Sequence, residues 1–134
     1  MAMIDPISIA SILSSGVNVC HSIYERIKKT ESLNDAICSL EELNLSNESL
    51  YDTINEFVKN NVEVKKVIAA DLERCYDGFY RSNEFLQQNW DSRNNRLKNT
   101  IFGIDDLLSA CKRHSARLAQ DSVKLNTTLS VYGF

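Results

Sequence analysis

One proline and four glycines serve all 134 residues, so the chain has few places to turn sharply and the elements between turns must be long. No strand-length run alternates apolar and polar residues between turn signals, which argues against a sheet. Internal repeats and low-complexity linkers are missing as well. Catalytic machinery is just as scarce. The two histidines, His21 and His114, belong to no Ser or Cys triad pattern, and there is no glycine-rich phosphate loop and no His-Glu-x-x-His. Adjacent acids such as Glu41-Glu42 and Asp105-Asp106 read as hydrated surface. These absences point away from an enzyme and from a small-molecule substrate, and no motif calls for a cofactor.

Four cysteines are present, but no Cys-x-x-Cys pair. Cys20, Cys38, Cys75 and Cys111 fall one to each expected helix, mostly on or beside its apolar face, as small core hydrophobes do. Cys111 and His114 stand one helical turn apart and offer half a metal site, among Lys112, Arg113 and Arg117, which disfavour a cation. Asp5-Pro6 occupies the place where a secretory signal would carry its basic region, so free thiols in a reducing, cytoplasmic compartment are expected. The sequons at Asn44, Asn47 and Asn126 are then expected to stay unmodified.

What the chain does have begins at its front. From Pro6 to Tyr24, nineteen residues pass without Asp, Glu, Lys or Arg, although a quarter of the whole chain is charged. At 100° per residue, Ile9, Ile12, Leu13, Val17, Val19, Cys20, Ile23, Tyr24 and Ile27 share one broad arc. Ser8, Ser11, Ser15, Asn18 and Ser22 hold the other. Ser and Asn are too frequent for a bilayer span. An amphipathic helix with such a mild polar face can instead pack in a bundle or lie in a loosely packed lipid surface. The candidate membrane-binding or partner-binding residues are therefore Ile7, Ile9, Ile12, Leu13, Val17, Cys20 and Ile23. Asp5 is placed to cap this helix and Pro6 to open it, with Lys28-Lys29 at the other end.

The remaining helices follow from periodicity. A capping-box-like Ser32-Leu33-Asn34-Asp35 opens a second segment in which Leu33, Ile37, Leu40, Leu43, Leu50, Ile54 and Phe57 fit a heptad and Asn47 takes one core slot. Asn60-Asn61 marks the next break. A third segment carries Val64, Ile68, Leu72, Cys75, Phe79, Phe85 and Leu86, with Gly78 inside it. A polar stretch from Gln87 to Asn95 follows, and its Trp90 is expected to dock back on the bundle. In the last segment Leu97, Ile101, Ile104, Leu108, Cys111, Ser115, Leu118, Ser122, Leu125, Leu129 and Tyr132 advance by alternating fours and threes. The expected fold is all-α: an elongated antiparallel bundle of four helices, in preference to five, in a single domain over residues 1–134. Helices are predicted near 7–28, 33–59, 62–88 and 97–131, the later three about 35–50 Å long.

Charge is divided unevenly behind a net of −3. Residues 31–58 hold seven acids and no base, while residues 91–134 hold seven bases against four acids. One reading pairs acidic helix two with basic helix four through weak exposed ion pairs. A second gathers Arg93, Arg96, Lys98, Lys112, Arg113 and Arg117 into a basic patch for acidic lipid heads. Nucleic acid is not an expected partner of a chain that is acidic overall and lacks a reader motif.

The opening Ile4-Asp5-Pro6-Ile7-Ser8-Ile9-Ala10-Ser11-Ile12 resembles the "DP-x-S-x-A-S-x" start of fungal HeLo-like N-terminal domains, which sit at the front of fungal NOD-like receptors, the signal-transducing NTPases. The Leu-rich second helix, Leu72-Glu73-Arg74-Cys75 and the Trp-containing connector are similar too. So are Ile104-Asp105-Asp106-Leu107-Leu108, Arg117-Leu118 and the closing Leu125-Asn126-Thr127-Thr128-Leu129-Ser130. The resemblance spans nearly the whole chain. It implies a helical N-terminal effector module of a longer protein, linked to heterokaryon incompatibility and regulated cell death. In such domains a hydrophobic first helix, here Ile7 to Ile27, is proposed to leave the bundle and attack membranes once a downstream sensor oligomerises. The other expectation, of a different class, is a module that self-associates or recruits helical proteins, with Asn47, Ser115 and Ser122 as polar slots specifying the partner.

Overall fold

The structure, a computed structural model, describes residues 6–98 and 103–132, with side chains from Ile9 onward. The Asp5 cap, the Ile7 and Ser8 side chains and Ile101 lie outside the described residues. Four helices, α1 (Pro6–Lys29), α2 (Leu33–Val58), α3 (Val62–Asn89) and α4 (Ile104–Val131), account for most of what is described, with a two-stranded hairpin of β1 (Trp90–Asp91) and β2 (Arg96–Leu97) before α4.

Local chemistry sets the first three helices. Arg26, Lys28 and Lys29 occupy the last turn of α1, where positive charge faces the carbonyl end of the helix dipole. Ser32 caps α2, its side chain accepting from the Asp35 amide at 3.4 Å. Asn61 does the same for α3 through the Val64 amide at 3.4 Å. The reversals at 30–32 and 59–61 are short, so α1, α2 and α3 run antiparallel to their sequence neighbours.

The fourth helix begins later than its periodicity predicts. Leu97 lies not on a helix but on β2, opposite Trp90, with Asp91 opposite Arg96. Turn chemistry wins here. The Asp91 carboxylate accepts from the Arg93 and Asn94 amides at 3.1 and 3.3 Å and from Asn94 Nδ2 at 2.7 Å, and Asn95 takes a left-handed φ of 50°. Trp90 does dock on the bundle and is buried there. Gly103 then stands at the N-cap position, with Asp105 and Asp106 in the first turn of α4. Because α4 starts at Ile104, that residue is 64% exposed instead of inward, and Leu107 is buried in its place. Tyr132, at the far end of the predicted row, is also exposed.

In the packed bundle α2 and α4 each touch the other three helices, whereas α1 and α3 hardly meet. The α2–α4 diagonal is therefore the centre. Leu40, Leu43, Asn47, Leu50 and Ile54 of α2 and Cys111, Ser115, Leu118, Ser122, Leu125 and Leu129 of α4 are all buried. Ser122 Oγ donates to Asn47 Oδ1 across the diagonal, and Asn47 Nδ2 donates to Leu43 O at 3.3 Å. Asn47, Ser115 and Ser122 are thus buried inside the chain, which corrects the expectation that these slots meet a partner.

The charge pairing is corrected too. Among the described residues, ion pairs between helices join α1 to α2 (Arg26–Glu42) and α3 to α4 (Arg117–Asp77), and none joins α2 to α4. The α2–α4 contact is made of apolar and small polar groups, so its register does not rest on surface charge.

Leu118 and Leu125 are each 2% exposed. Changing either to Ala should lower stability by about 2–5 kcal/mol, against less than about 0.5 kcal/mol for exposed Arg113→Ala. Urea titration monitored by circular dichroism measures both; a larger loss from Arg113→Ala would mean that α4 faces the other way.

Candidate functional site

The uncharged segment that sets this chain apart lies on α1. Its inward row, Ile9, Leu13, Cys20, Ile23 and Ile27, is fully buried, and Val17 packs half-buried against the core. The row keeps a four-three rhythm because Gly16 fills the slot between Leu13 and Cys20. A Cβ at Gly16 would lie 2.9 Å from Leu50 Cδ1, so glycine lets α1 come close to α2 there. The broad arc read from the sequence is narrower in the fold. Ile12 and Val19 fall at its edge and are 45% and 47% exposed.

The outer face is unusually free of charge. Ser11, Ser15, Asn18 and Ser22 lie beside Ile12 and Val19, with Ser11, Ser15, Asn18 and Ser22 all exposed. Val19, with Ser15 and Gly16, faces Leu45, Ser46 and Ser49 across a shallow groove between α1 and α2. A second groove of about 550 Å³ lies between α1 and α4, lined by His21, Tyr24, Ala119 and Val123 among others. Among the described residues, the ion pair that ties α1 to another helix lies near its end, between exposed Arg26 and Glu42 of α2. Most of α1 is consequently held by apolar contact, with a side-chain hydrogen bond between Cys20 and Ser122 of α4 in its middle. No helix among the described residues is long and apolar enough to cross a membrane.

The six bases of the candidate patch occupy two places. Arg93, Arg96 and Lys98 lie on the 90–98 hairpin, exposed, with Lys98 Nζ donating to Gln87 O. Arg93 and Lys98 line one cavity with Glu41, Trp90 and Asp91, and none of the α4 bases lines it. On α4, Arg113 is exposed, Lys112 is half-buried, and Arg117 is engaged: its guanidinium lies 3.1 Å from Asp77 Oδ2 and 3.8 Å from Asp121 Oδ2.

Burial governs the thiols. Desolvation pushes Cys20 up to about 11 and both Cys75 and Cys111 up to about 12, so these three stay protonated. Cys38 is half-buried and its Sγ approaches Asn95 Oδ1 at 3.6 Å. His114 packs tilted against Phe85, ring centres 4.9 Å apart, and its imidazole is held below the ordinary value by burial and then by Arg113, Arg117 and Arg81. A protonated Cys111 beside a His ringed by cations makes a poor metal pair. Among the described residues no cluster of three His, Cys, Asp or Glu side chains is placed to hold a metal ion. The sequon asparagines Asn44 and Asn47 are buried.

One polar site does not stand out in the sequence. Asp121 of α4 is buried against α3, its carboxyl raised by desolvation despite Arg117, and a Cβ at Gly78 would lie 3.4 Å from its Oδ2. Glycine at 78 therefore makes room for an acid. A signal for it exists: Asp121 sits directly beside the inward Ser122 in a strongly periodic helix.

Two measurements check this chemistry. In the native state a maleimide should label Cys38 first, and the other three thiols only on unfolding, with mass spectrometry after proteolysis locating the adducts. Because His114 is depressed in the folded chain, its contribution to stability is complete above the ordinary imidazole value and declines as pH falls through that value toward the depressed one. Thermal melts from neutral to mildly acid pH should show this decline, and His114→Gln should flatten it.

No protein-family model matches the chain, and neither a curated protein nor a solved structure matches it.

Proposed function

We propose that this chain is a non-enzymatic effector and signalling module of the HeLo-like kind, acting in heterokaryon incompatibility or regulated cell death. At rest α1 is packed in the bundle, in the cytoplasm; on activation it is released and acts at membranes. The observation that carries this reading is the two-sidedness of α1. Its inner row is wholly buried, while its outer face shows Ser11, Ser15, Asn18, Ser22, Ile12 and Val19 without a charge. From Pro6 to Tyr24 such a helix can exchange one apolar environment for another with no ion to desolvate. Release has a cost: Ile9, Leu13, Ile23 and Ile27 are each worth about 1.5–3 kcal/mol of burial, so an external trigger such as enforced oligomerisation of a downstream sensor has to supply it.

The exposed Ile12 and Val19, with Leu45 across the α1–α2 groove, favour a second reading. There the resting bundle is a protein-interaction or self-association module, α1 never leaves, and no membrane is involved.

Replacing Ser11 and Ser15 together with Glu separates the two. Both positions are exposed, so the fold should hold within about 0.5 kcal/mol. With the domain fused to an oligomeriser, leakage of anionic or packing-defective vesicles should be lost in this variant and strong in the parent. A parent that neither binds lipid nor permeabilises vesicles when oligomerised, or a Glu variant that stays fully active, rejects the membrane reading in favour of protein interaction.

A further inference from the structure

The seam between α3 and α4 is the least satisfied part of the interior. Cys75, Gly78 and Ser82 follow one another along α3 at steps of three and four, so they share one face of that helix. That face meets α4: Cys75 Sγ lies 3.8 Å from the Asp121 carbonyl, and a Cβ on Gly78 would lie 3.4 Å from Asp121 Oδ2 and 3.5 Å from Leu118 Cδ2. Ser82 is fully buried on this face, and its Oγ has no hydrogen-bond partner. Asp121 is 8% exposed, and its Oδ2 has none either. Among the described residues only Asn44 Oδ1 shares that condition, so two of the three such atoms sit on one seam.

The bases nearby are committed to other acids. Arg117 donates to Asp77 at 3.1 Å and brings Nε only within 3.8 Å of Asp121 Oδ2, too far for a hydrogen bond. Arg74 is paired with Asp71 at 2.9 Å and Arg81 with Asp77 at 3.2 Å. Lys124, further along α4, is exposed, and the protonated Cys75 brings no charge. Burial therefore outweighs Arg117, Arg74 and Lys124, with Asp71 adding to it, and raises the Asp121 carboxyl.

A carboxylate buried without a hydrogen-bond donor is costly, whereas the neutral acid needs far less hydration. The closed seam consequently favours the acid, and an ionised Asp121 is relieved by water. Ser82, one turn from Gly78 on the same face, gains a partner by the same entry. We infer that the α3–α4 seam is a proton-linked joint: with Asp121 neutral α3 is seated on α4, and loss of the proton admits water at Gly78 and loosens α3. The bonds from Arg117 to Asp77 and from Thr128 to Asp71 keep the helix attached, so the joint loosens without parting. Because the carboxyl is raised in the closed seam and ordinary once hydrated, the proton's contribution to closure is complete below the ordinary carboxylate value and is lost as pH rises through the raised one. α1 takes no part in this seam, so the joint and the release of α1 stand or fall separately.

Hydrogen–deuterium exchange read by mass spectrometry tests this in the parent chain and in Asp121→Asn, which fixes the uncharged state. At about pH 7, peptides from the middle of α3 should exchange about ten-fold faster in the parent than in the variant. Near the ordinary carboxylate value, about pH 4, the two should match. Peptides of α1 and α2 should not differ between the two chains. In ¹³C spectra of the parent the Asp121 carboxyl should titrate above the ordinary value, a measurement that decides the matter even if the variant does not fold. The inference is overturned by an Asp121 midpoint at or below the ordinary value, by equal α3 exchange at neutral pH, or by a difference spread evenly over α1, α2 and α3, which would mark a change in global stability alone.

Discussion

The close approach of α2 and α4 is the constraint on which the rest of the bundle depends. These two helices supply a wall to every other helix, so their separation decides whether α1 and α3 have a seat at all. Ser115 and Ser122 keep the α4 side of the diagonal thin, where a longer side chain would wedge it open. The bond from Ser122 to Asn47 adds a register, since sliding one helix past the other by a turn would leave Asn47 Oδ1 buried without its donor while Ser122 fell back on Leu118 O of its own helix.

The two outer helices are fastened to this diagonal by different forces. α3 is joined to α4 by polar as well as apolar contacts: Arg117 with Asp77, the Thr128 hydroxyl donating to Asp71 at 3.0 Å, and Cys75 near the Asp121 carbonyl. α1 is held mainly by its aliphatic row, with the exposed Arg26–Glu42 pair near its end adding little. Of the two, α1 is the helix whose contacts a lipid surface or another protein can most readily replace, because aliphatic burial is not selective about what does the burying.

Much of this architecture is legible in the order of the residues. The Ser32 and Asn61 caps, the inward rows of α2 and α3 and the docking of Trp90 follow from local capping chemistry and from a helical period sustained over many turns. Where periodicity misleads, neighbouring chemistry overrides it. Leu97 matches the four-three rhythm of the last helix, yet the Asp91 turn and left-handed Asn95 give the chain a better local structure. Ile104 then falls at the first turn of α4, facing solvent, and Leu107 takes its place. Ile12 and Val19 share the apolar arc but not the core, because an arc drawn from sequence cannot say how wide a strip the neighbouring helices cover. The under-satisfied seam is harder to see, since Gly78 and Asp121 lie on different helices.

By itself the sequence determined that this protein is helical, where its first three helices start and stop, and that α1 carries no charge until its last turns. Those properties arise within a few residues of one another, from capping groups, side-chain period and composition. Tertiary structure alone decided which helices form the central diagonal, that Asn47 meets Ser122 across it, and that the ion pairs run α1–α2 and α3–α4. It also decided that Ile12 and Val19 stay outside and that Asp121 is buried against Gly78. Each of these depends on two helices distant in the chain arriving at one place, which is set by how small residues such as Gly16, Gly78 and Ser122 let the backbones approach.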